Sequence, residues 1–328
     1  MGGPRASMGP CLLYISTFLL GGDCVRYLLK SLLQMIPVLF LITIIVFVLM
    51  HIAGDPVALM LPENATEEDR ILLTKALGLD QPLYIQYIRF LGNLLQGDFG
   101  ESYRYNQPAL PIVLERLPAS FELALSSIIV ATIIAIPLGI LSAMKRDSLL
   151  DVFITGGTVL GKAMPNFWLG IMLILVLSVN MELFPVSGRG GLMSLVLPSI
   201  TLGTAIAAEM ARLVRSSMLE VLGQDYIRTA RSKGLMEAIV VNKHALRNAL
   251  IPVVTIVALQ TPTLIGGTLI TETVFSWPGM GLLLVQALNG RDMAIVQAAV
   301  FVIACLVILS NLVADLVYRL LDPRIKYD

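Results

Sequence analysis

Six stretches of this chain, 28–50, 120–143, 152–179, 192–214, 250–270 and 294–316, are each apolar over about twenty residues, the length of helix that crosses the hydrocarbon of a bilayer. A backbone N–H or C=O facing hydrocarbon must find its partner within its own segment, so stretches of this kind can span only as helices. That requirement sets the fold class: an all-α polytopic membrane protein with six transmembrane helices. The composition agrees, with 56% hydrophobic and only 14% charged residues, against about a quarter charged in soluble domains. Pro37, Pro137, Pro165, Pro198 and Pro262 fall inside or near the ends of the stretches and predict kinks packed against neighbouring helices.

Lys and Arg set the orientation. With the N-terminus inside, the inner segments carry Arg26, Lys30, Lys145, Arg146, the run from Arg212 to Arg247, and Arg319 onward. They hold roughly twice as many Lys and Arg as the outer segments, so both termini are predicted to be cytoplasmic. The net charge is zero, which gives no global attraction to nucleic acid. The three cysteines (Cys11, Cys24 and Cys305) show no paired spacing, so neither a disulfide framework nor a zinc site is implied.

The chain then divides as follows. Residues 1–24 fit the pattern poorly and are read as an upstream extension from an over-called start, with an amphipathic surface anchor as the alternative. Residues 25–50 form the first span. Residues 51–118 form an outer helical cap, opened by the turn signal Gly54-Asp55-Pro56. In it, Glu67-Glu68-Asp69-Arg70 starts a helix that ends at Gly78, and a second amphipathic run covers 83–95. The cap serves either as a docking or gating surface for a delivered substrate or as a lid on the bundle. Residues 119–321 form the core, with a long inner loop over 215–250, and 322–328 form a cytoplasmic tail. Within the core, Glu272, Phe275, Trp277, Pro278 and Gly279 mark an outer segment that is re-entrant or a short surface helix, a candidate outer gate.

Catalytic signatures are missing. Gly156-Gly157 through Gly161-Lys162 has the spacing of a phosphate-binding loop, but Ala163 stands where Ser or Thr is required, and the segment lies within a span. No residue is assigned a catalytic or metal-binding role, and an enzyme is not expected. Lys162 is an ionisable residue inside a span, hence either a pathway residue or a shallow lysine reaching toward the interface. Asn166 and Gln260 are pathway candidates too, with hydrogen bonding between helices as the alternative.

The inner loop is too long and too patterned to be a plain connection. Tyr226, Ala230 and Gly234 recur every four residues, which on a continuous helix gives one face with a shallow groove for a partner. Arg228, Arg231 and Lys233 flank it, and Asp225 stands near the helix start. Topogenic charge alone would explain the basic residues but not the length or the small face.

The stretch from Asp225 to Leu235, followed by His244-Ala245-Leu246-Arg247-Asn248-Ala249-Leu250-Ile251-Pro252, resembles the cytoplasmic loop of the dipeptide/oligopeptide/nickel-type permeases of ABC importers. Ala230 and Gly234 match the second Ala and the Gly of that family's Glu-Ala-Ala-xxx-Gly motif, while Arg228 and Thr229 replace its Glu and first Ala. Gly97-Asp98-Phe99-Gly100, Glu115-Arg116-Leu117-Pro118, Phe275-Ser276-Trp277-Pro278-Gly279 and Asp322-Pro323-Arg324 extend the likeness from about Val25 onward. Met293-Ala294 departs from it, since the family usually has an aromatic residue and Pro there.

The resemblance implies the type I importer permease fold in a bacterial inner membrane. It implies one half of a heterodimeric pore, working with a second permease subunit, two ATPases that carry ATP-Mg, and an extracytoplasmic binding protein. This chain itself would hold no cofactor. Tyr226, Ile227, Thr229, Ala230, Arg231, Gly234 and Leu235 would couple to an ATPase. Lys162, Asn166, Gln260, Glu272 and Trp277 are the pathway or gate candidates. Peptides are the expected cargo, with nickel chelates or glutathione as alternatives. A secondary transporter is the rival class, in which intramembrane acids and broken helices would hold coupling ions.

Overall fold

A computed structural model describes residues 22–52, 61 and 66–321. The expectations for 1–21, for Gly54-Asp55-Pro56 and for the tail 322–328 lie outside the described residues. Almost everything described is helix. Helix α1 (Gly22–Ile52) runs unbroken through Pro37 and turns Thr43, Val46 and Phe47 inward. Helix α2 (Glu67–Leu77) starts at a reciprocal cap, in which Thr66 and Asp69 each bond the other's backbone N–H. The Thr66 hydroxyl, which also donates to the Asp69 carboxylate, and then the Thr66 N–H hold that carboxyl below its ordinary pKa. Gly78, at φ 69°, closes the helix in the left-handed conformation. Helix α3 (Leu83–Leu95) lies against α1, where the Tyr87 ring meets Phe47 at 5.2 Å and its hydroxyl bonds Thr43 at 2.8 Å.

A two-residue hairpin that the sequence did not announce, β1 (Glu101–Ser102) with β2 (Gln107–Pro108), leads into α4 (Ala109–Met144). At 36 residues, α4 begins well before the expected 120. Its early turns bury Ala109, Ile112 and Val113 against the C-terminal helices, and that tertiary packing carries the helix back through Pro118.

The third apolar stretch is not one straight span. Helix α5 (Leu149–Ala163) ends at Met164, and α6 (Asn166–Leu173), extended by a π-helical turn to Asn180, leaves it at 104°. The cause is local: Pro165 pushes the preceding Met164 into extended backbone at ψ 128°.

Helix α7 (Leu192–Leu222) outruns its expected end at 214, and α8 (Asp225–Ser232) follows it. The chain returns through α9 (Glu237–Ala249, with a π-helical middle) into α10 (Ile251–Gly267) with a 45° bend. Helices α11 (Leu269–Val274) and α12 (Met280–Asn289) flank a tight turn, and α13 (Met293–Leu321) closes the described chain. Among the described residues, counting each bent pair as one span gives up to six candidate crossings, four of them single long helices.

The centre of the molecule is the contact between α4 and α7. The most apolar window of α7 is 56% buried against 18% for that of α1, which makes α7 central and α1 peripheral. Small residues let the two backbones touch. A Cβ added at Gly139 would lie 2.5 Å from Val214 Cβ and 2.8 Å from the Ala211 carbonyl oxygen, and one added at Gly203 would lie 2.9 Å from the Ser127 carbonyl oxygen. Gly139→Val is therefore expected to destabilise the protein by about 1–3 kcal/mol. The thermal midpoint in detergent checks this, and an unchanged midpoint would mean that the helices part there at no cost.

Candidate functional site

Helix α8 packs on the main core, which also takes in Ala143 at the end of α4 and Met218 near the end of α7. Ile227 and Ala230 (one turn apart) point into the main core and are almost completely buried. The sequence reading placed Ala230 on an outward face with Tyr226 and Gly234. The structure corrects this for a physical reason: an eight-residue helix is too short to stand alone and must bury one face to exist. The helix also stops at Ser232, so Gly234 belongs to a left-handed turn at φ 74°, not to the helix.

The outward surface is made instead by Tyr226, Thr229, Gly234, Leu235 and Met236. Asn248 Nδ2 donates to the Tyr226 hydroxyl at 2.8 Å and ties α8 to the helix that returns past it. Arg231 makes a two-point ion pair with Glu237, at 3.1 and 2.6 Å. That pair staples the turn and lifts the Arg231 pKa above its ordinary value. A Cβ at Gly234 would meet nothing within 4 Å, so this part of the turn is open.

A further contact on α7 involves a residue that the charge count had treated only as topology. Arg215 near the end of α7 grips Asp151 at the start of α5 with two bonds, Nε–Oδ1 at 2.8 Å and Nη2–Oδ2 at 2.7 Å. Ser142 of α4 donates to the same carboxylate, as does the Asp147 backbone N–H at 3.1 Å. Three helices, α4, α5 and α7, are thus locked together through one carboxylate. The spacing Ser148-x-x-Asp151 was a legible cap signal, since the Asp151 N–H does donate to the Ser148 hydroxyl. Its pairing across 64 residues to Arg215 was not legible.

At the opposite end, Glu272 and Trp277 do not line an opening; both are fully buried. The Glu272 carboxylate accepts from Ser120 Oγ at 2.7 Å, Thr268 Oγ1 at 2.9 Å and the Leu282 backbone N–H at 3.1 Å. Trp277 Nε1 donates to the Ala119 carbonyl at 2.8 Å, and the Met280 N–H donates to Ser120 Oγ. Their role is to hold the turn between α11 and α12 against α4, because polar groups buried in apolar surroundings are tolerable only when bonded. Above that turn, Arg189 pairs with Glu122 at 2.6 Å and lies over the Trp277 ring. The buried Asp292 carboxylate, likewise unforeseen, accepts from Ser102 of the hairpin and caps the first turn of α13.

Two of the remaining candidates come together. Lys162 of α5 and Gln260 of α10 both reach Glu209 of α7, at 3.5 and 3.3 Å. Asn166 opens α6 beyond the Pro165 bend, partly exposed. The glycines of the rejected phosphate-loop pattern lie in α5, where Gly161 packs on Thr204. Among the described residues, no cluster of three or more His, Cys, Asp or Glu side chains could hold a metal ion.

Comparison with known proteins gives a single picture. Residues 135–327 match the family described as binding-protein-dependent transport system inner membrane component, and residues 24–124 match its N-terminal companion. The chain is 44% identical over 313 residues to the oligopeptide transport system permease protein AppB of Bacillus subtilis, covering 92% of this chain and 99% of the relative. It is 40% identical over 335 residues to the dipeptide transport system permease protein DppB of Escherichia coli K12, with the same coverage. It is 41% identical over 303 residues to the glutathione transport system permease protein GsiC of the same strain, again covering 92% and 99%. Among solved structures, an inward-facing form of the MetNI methionine ABC transporter aligns with a TM-score of 0.54 at 20% identity, covering 64% of this chain and 96% of that chain. At that identity the likeness speaks for the fold alone.

Proposed function

The chain belongs to the binding-protein-dependent transport system inner membrane component family, and we propose that it forms one half of the pore of an ATP-driven importer of short peptides. Membership makes it a multi-pass inner-membrane permease subunit and not an enzyme. The finer reading adds a second, related permease subunit, two ATPases on the cytoplasmic side, and an extracytoplasmic binding protein that delivers the cargo. Relatives named for oligopeptide and dipeptide transport support the peptide assignment, and the glutathione permease marks the nearest alternative, itself a small peptide.

The observation that carries the coupling role is the build of α8. It is a short helix anchored from within by Ile227 and Ala230 and presenting Tyr226, Thr229, Leu235 and Met236 outward. In the proposed orientation, with both termini cytoplasmic, that surface meets an ATPase. Motion of α8 would pass to the spans through rigid connections. Buried Ile227 and Ala230 press on the core, and the Arg215–Asp151 pair joins α7 to α5 and, through Ser142, to α4. Such an element drives a switch between two states to the extent that its contacts differ in each. The segments 51–118 and 271–292 would then face the binding protein, with the Glu272 network keeping the latter in shape.

The test is uptake. The chain is co-reconstituted with the second permease, both ATPases and the binding protein. Accumulation of a labelled dipeptide is expected to require ATP and the binding protein and to persist when ion gradients are collapsed. Uptake driven by an ion gradient without ATP would make the protein a secondary transporter.

A further inference from the structure

Halfway along the bundle, polar side chains from three separate helices meet. Lys162 Nζ of α5 lies 3.5 Å from Glu209 Oε2 of α7, and Gln260 Nε2 of α10 donates to that same oxygen at 3.3 Å. Both contacts are at the long limit for their kind. The Lys162 and Glu209 side chains are 51% and 37% exposed. A loosely paired, half-exposed Lys and Glu would be costly against lipid, so the face they share belongs on water or on protein.

The rest of α7 says which. Below Glu209, at helical spacing, Arg212, Ser216 and Glu220 are exposed on the same stripe, while Ala208, Ala211, Val214 and Met218 between them are buried. A polar stripe thus runs from the middle of α7 down to α8, as expected for the wall of an aqueous vestibule open at that end. The contrast with other acids is informative. Asp151 is saturated by Arg215 and Ser142, and Glu272 by three donors, whereas among the described residues Glu209 is held by two long contacts from side chains that can swing away.

We infer that Lys162, Glu209 and Gln260 form a contact station for cargo on the translocation path, matched to the two ends of a zwitterionic peptide. The peptide's terminal carboxylate takes the Lys162 ammonium, its terminal ammonium takes the Glu209 carboxylate, and the Gln260 amide supports whichever oxygen stands beside it. The ion pair opens to receive the peptide and recloses when the peptide leaves, so no charge is left unpaired in either state. Weak, exchangeable contacts suit a path, because cargo must be able to leave as well as enter. This assignment rests on the peptide-importer function proposed above.

The experiment uses the assembled transporter with Cys11, Cys24 and Cys305 replaced by Ala. Single cysteines are placed one turn to either side of Glu209, at Ala205 and Arg212, so that the station stays intact. Their rate of modification by a charged, membrane-impermeant thiol reagent is measured from the α8 side, with and without the dipeptide dialanine. Both sites are expected to react, and dialanine is expected to slow the reaction by the factor 1 + [L]/Kd. In a Lys162→Met, Glu209→Gln background the reaction should continue but the protection should vanish. Failure to react would show the face covered by lipid or by the second subunit and would overturn the station. Reaction without protection, or protection that survives the double substitution, would overturn it as well. ATP-driven dialanine uptake by the unaltered complex is recorded on the same preparation. Its absence would overturn the peptide function and the station together, whereas uptake with unprotected labelling would overturn the station alone.

Discussion

Replacing Gly234 with Trp is expected to leave the protein inserted and folded while abolishing ATP-driven uptake. The turn after α8 has open space around the position, with nothing within 4 Å of where a Cβ would stand, so the indole clashes with nothing in this chain. The backbone there has φ 74°, and a side chain in that conformation costs roughly 1–2 kcal/mol, which the fold can absorb. The indole would instead occupy the surface of Tyr226, Thr229, Leu235 and Met236 that is proposed to meet the ATPase. Losing about 3 kcal/mol of docking would weaken that association roughly 100-fold.

Gly234→Ala is the control, because it carries the same backbone strain without the bulk and should keep most of the uptake. The readouts are co-purification of the ATPase, ATP hydrolysis stimulated by the binding protein, and uptake. If the Trp variant still binds the ATPase and transports, α8 and its turn are not the docking surface. If the Ala variant fails equally, the glycine serves only the turn.

The second large effect is expected at Glu272. Truncation to Ala would remove an acceptor shared by Ser120 Oγ, Thr268 Oγ1 and the Leu282 N–H in a site closed to solvent. The hydroxyls can turn elsewhere, but the N–H cannot, and a cavity remains, so a loss of about 3 kcal/mol or more follows. Thermal unfolding in detergent should show a clearly lowered midpoint, and uptake should fall with the amount of folded protein. The same contact can be probed from its other side. A Cβ at Gly279 would stand 2.4 Å from the Glu272 carboxylate, so Gly279→Ala should also destabilise, and the two substitutions together should cost less than their sum. Full stability of Glu272→Ala with lost uptake would instead make Glu272 a gate residue and return it to the pathway.

The membrane class, the number of crossings and the basic loop were all legible in one dimension, because hydrophobic length and charge asymmetry are properties of the chain itself. The ends of α2 were legible for the same reason: Glu67, Glu68 and Asp69 lie within the first turn and Gly78 directly follows the last, so each signal acts on the helix end beside it. The candidate site was only half legible. That the residues around 225–235 matter could be read from a polar, patterned loop between apolar runs. That Ala230 faces inward could not, since four-residue spacing defines a face but not which way that face turns. Glu272 and Trp277 looked like gate residues because polar and aromatic groups near a span end so often are. Their burial depends on Ala119 and Ser120, some 150 residues earlier in the chain.

By itself, then, the sequence determined what must be helical, what must lie in the membrane, and which loop carries the charge. Those follow from local solvation and from periodicity, which need no neighbour. Only the tertiary structure decided that Arg215 closes on Asp151, that α8 stands on Ile227 and Ala230, and that Lys162 and Gln260 meet on one oxygen of Glu209. Each of those depends on side chains far apart in the chain being brought within bonding distance, which the packing of α4 on α7 accomplishes and no local pattern records.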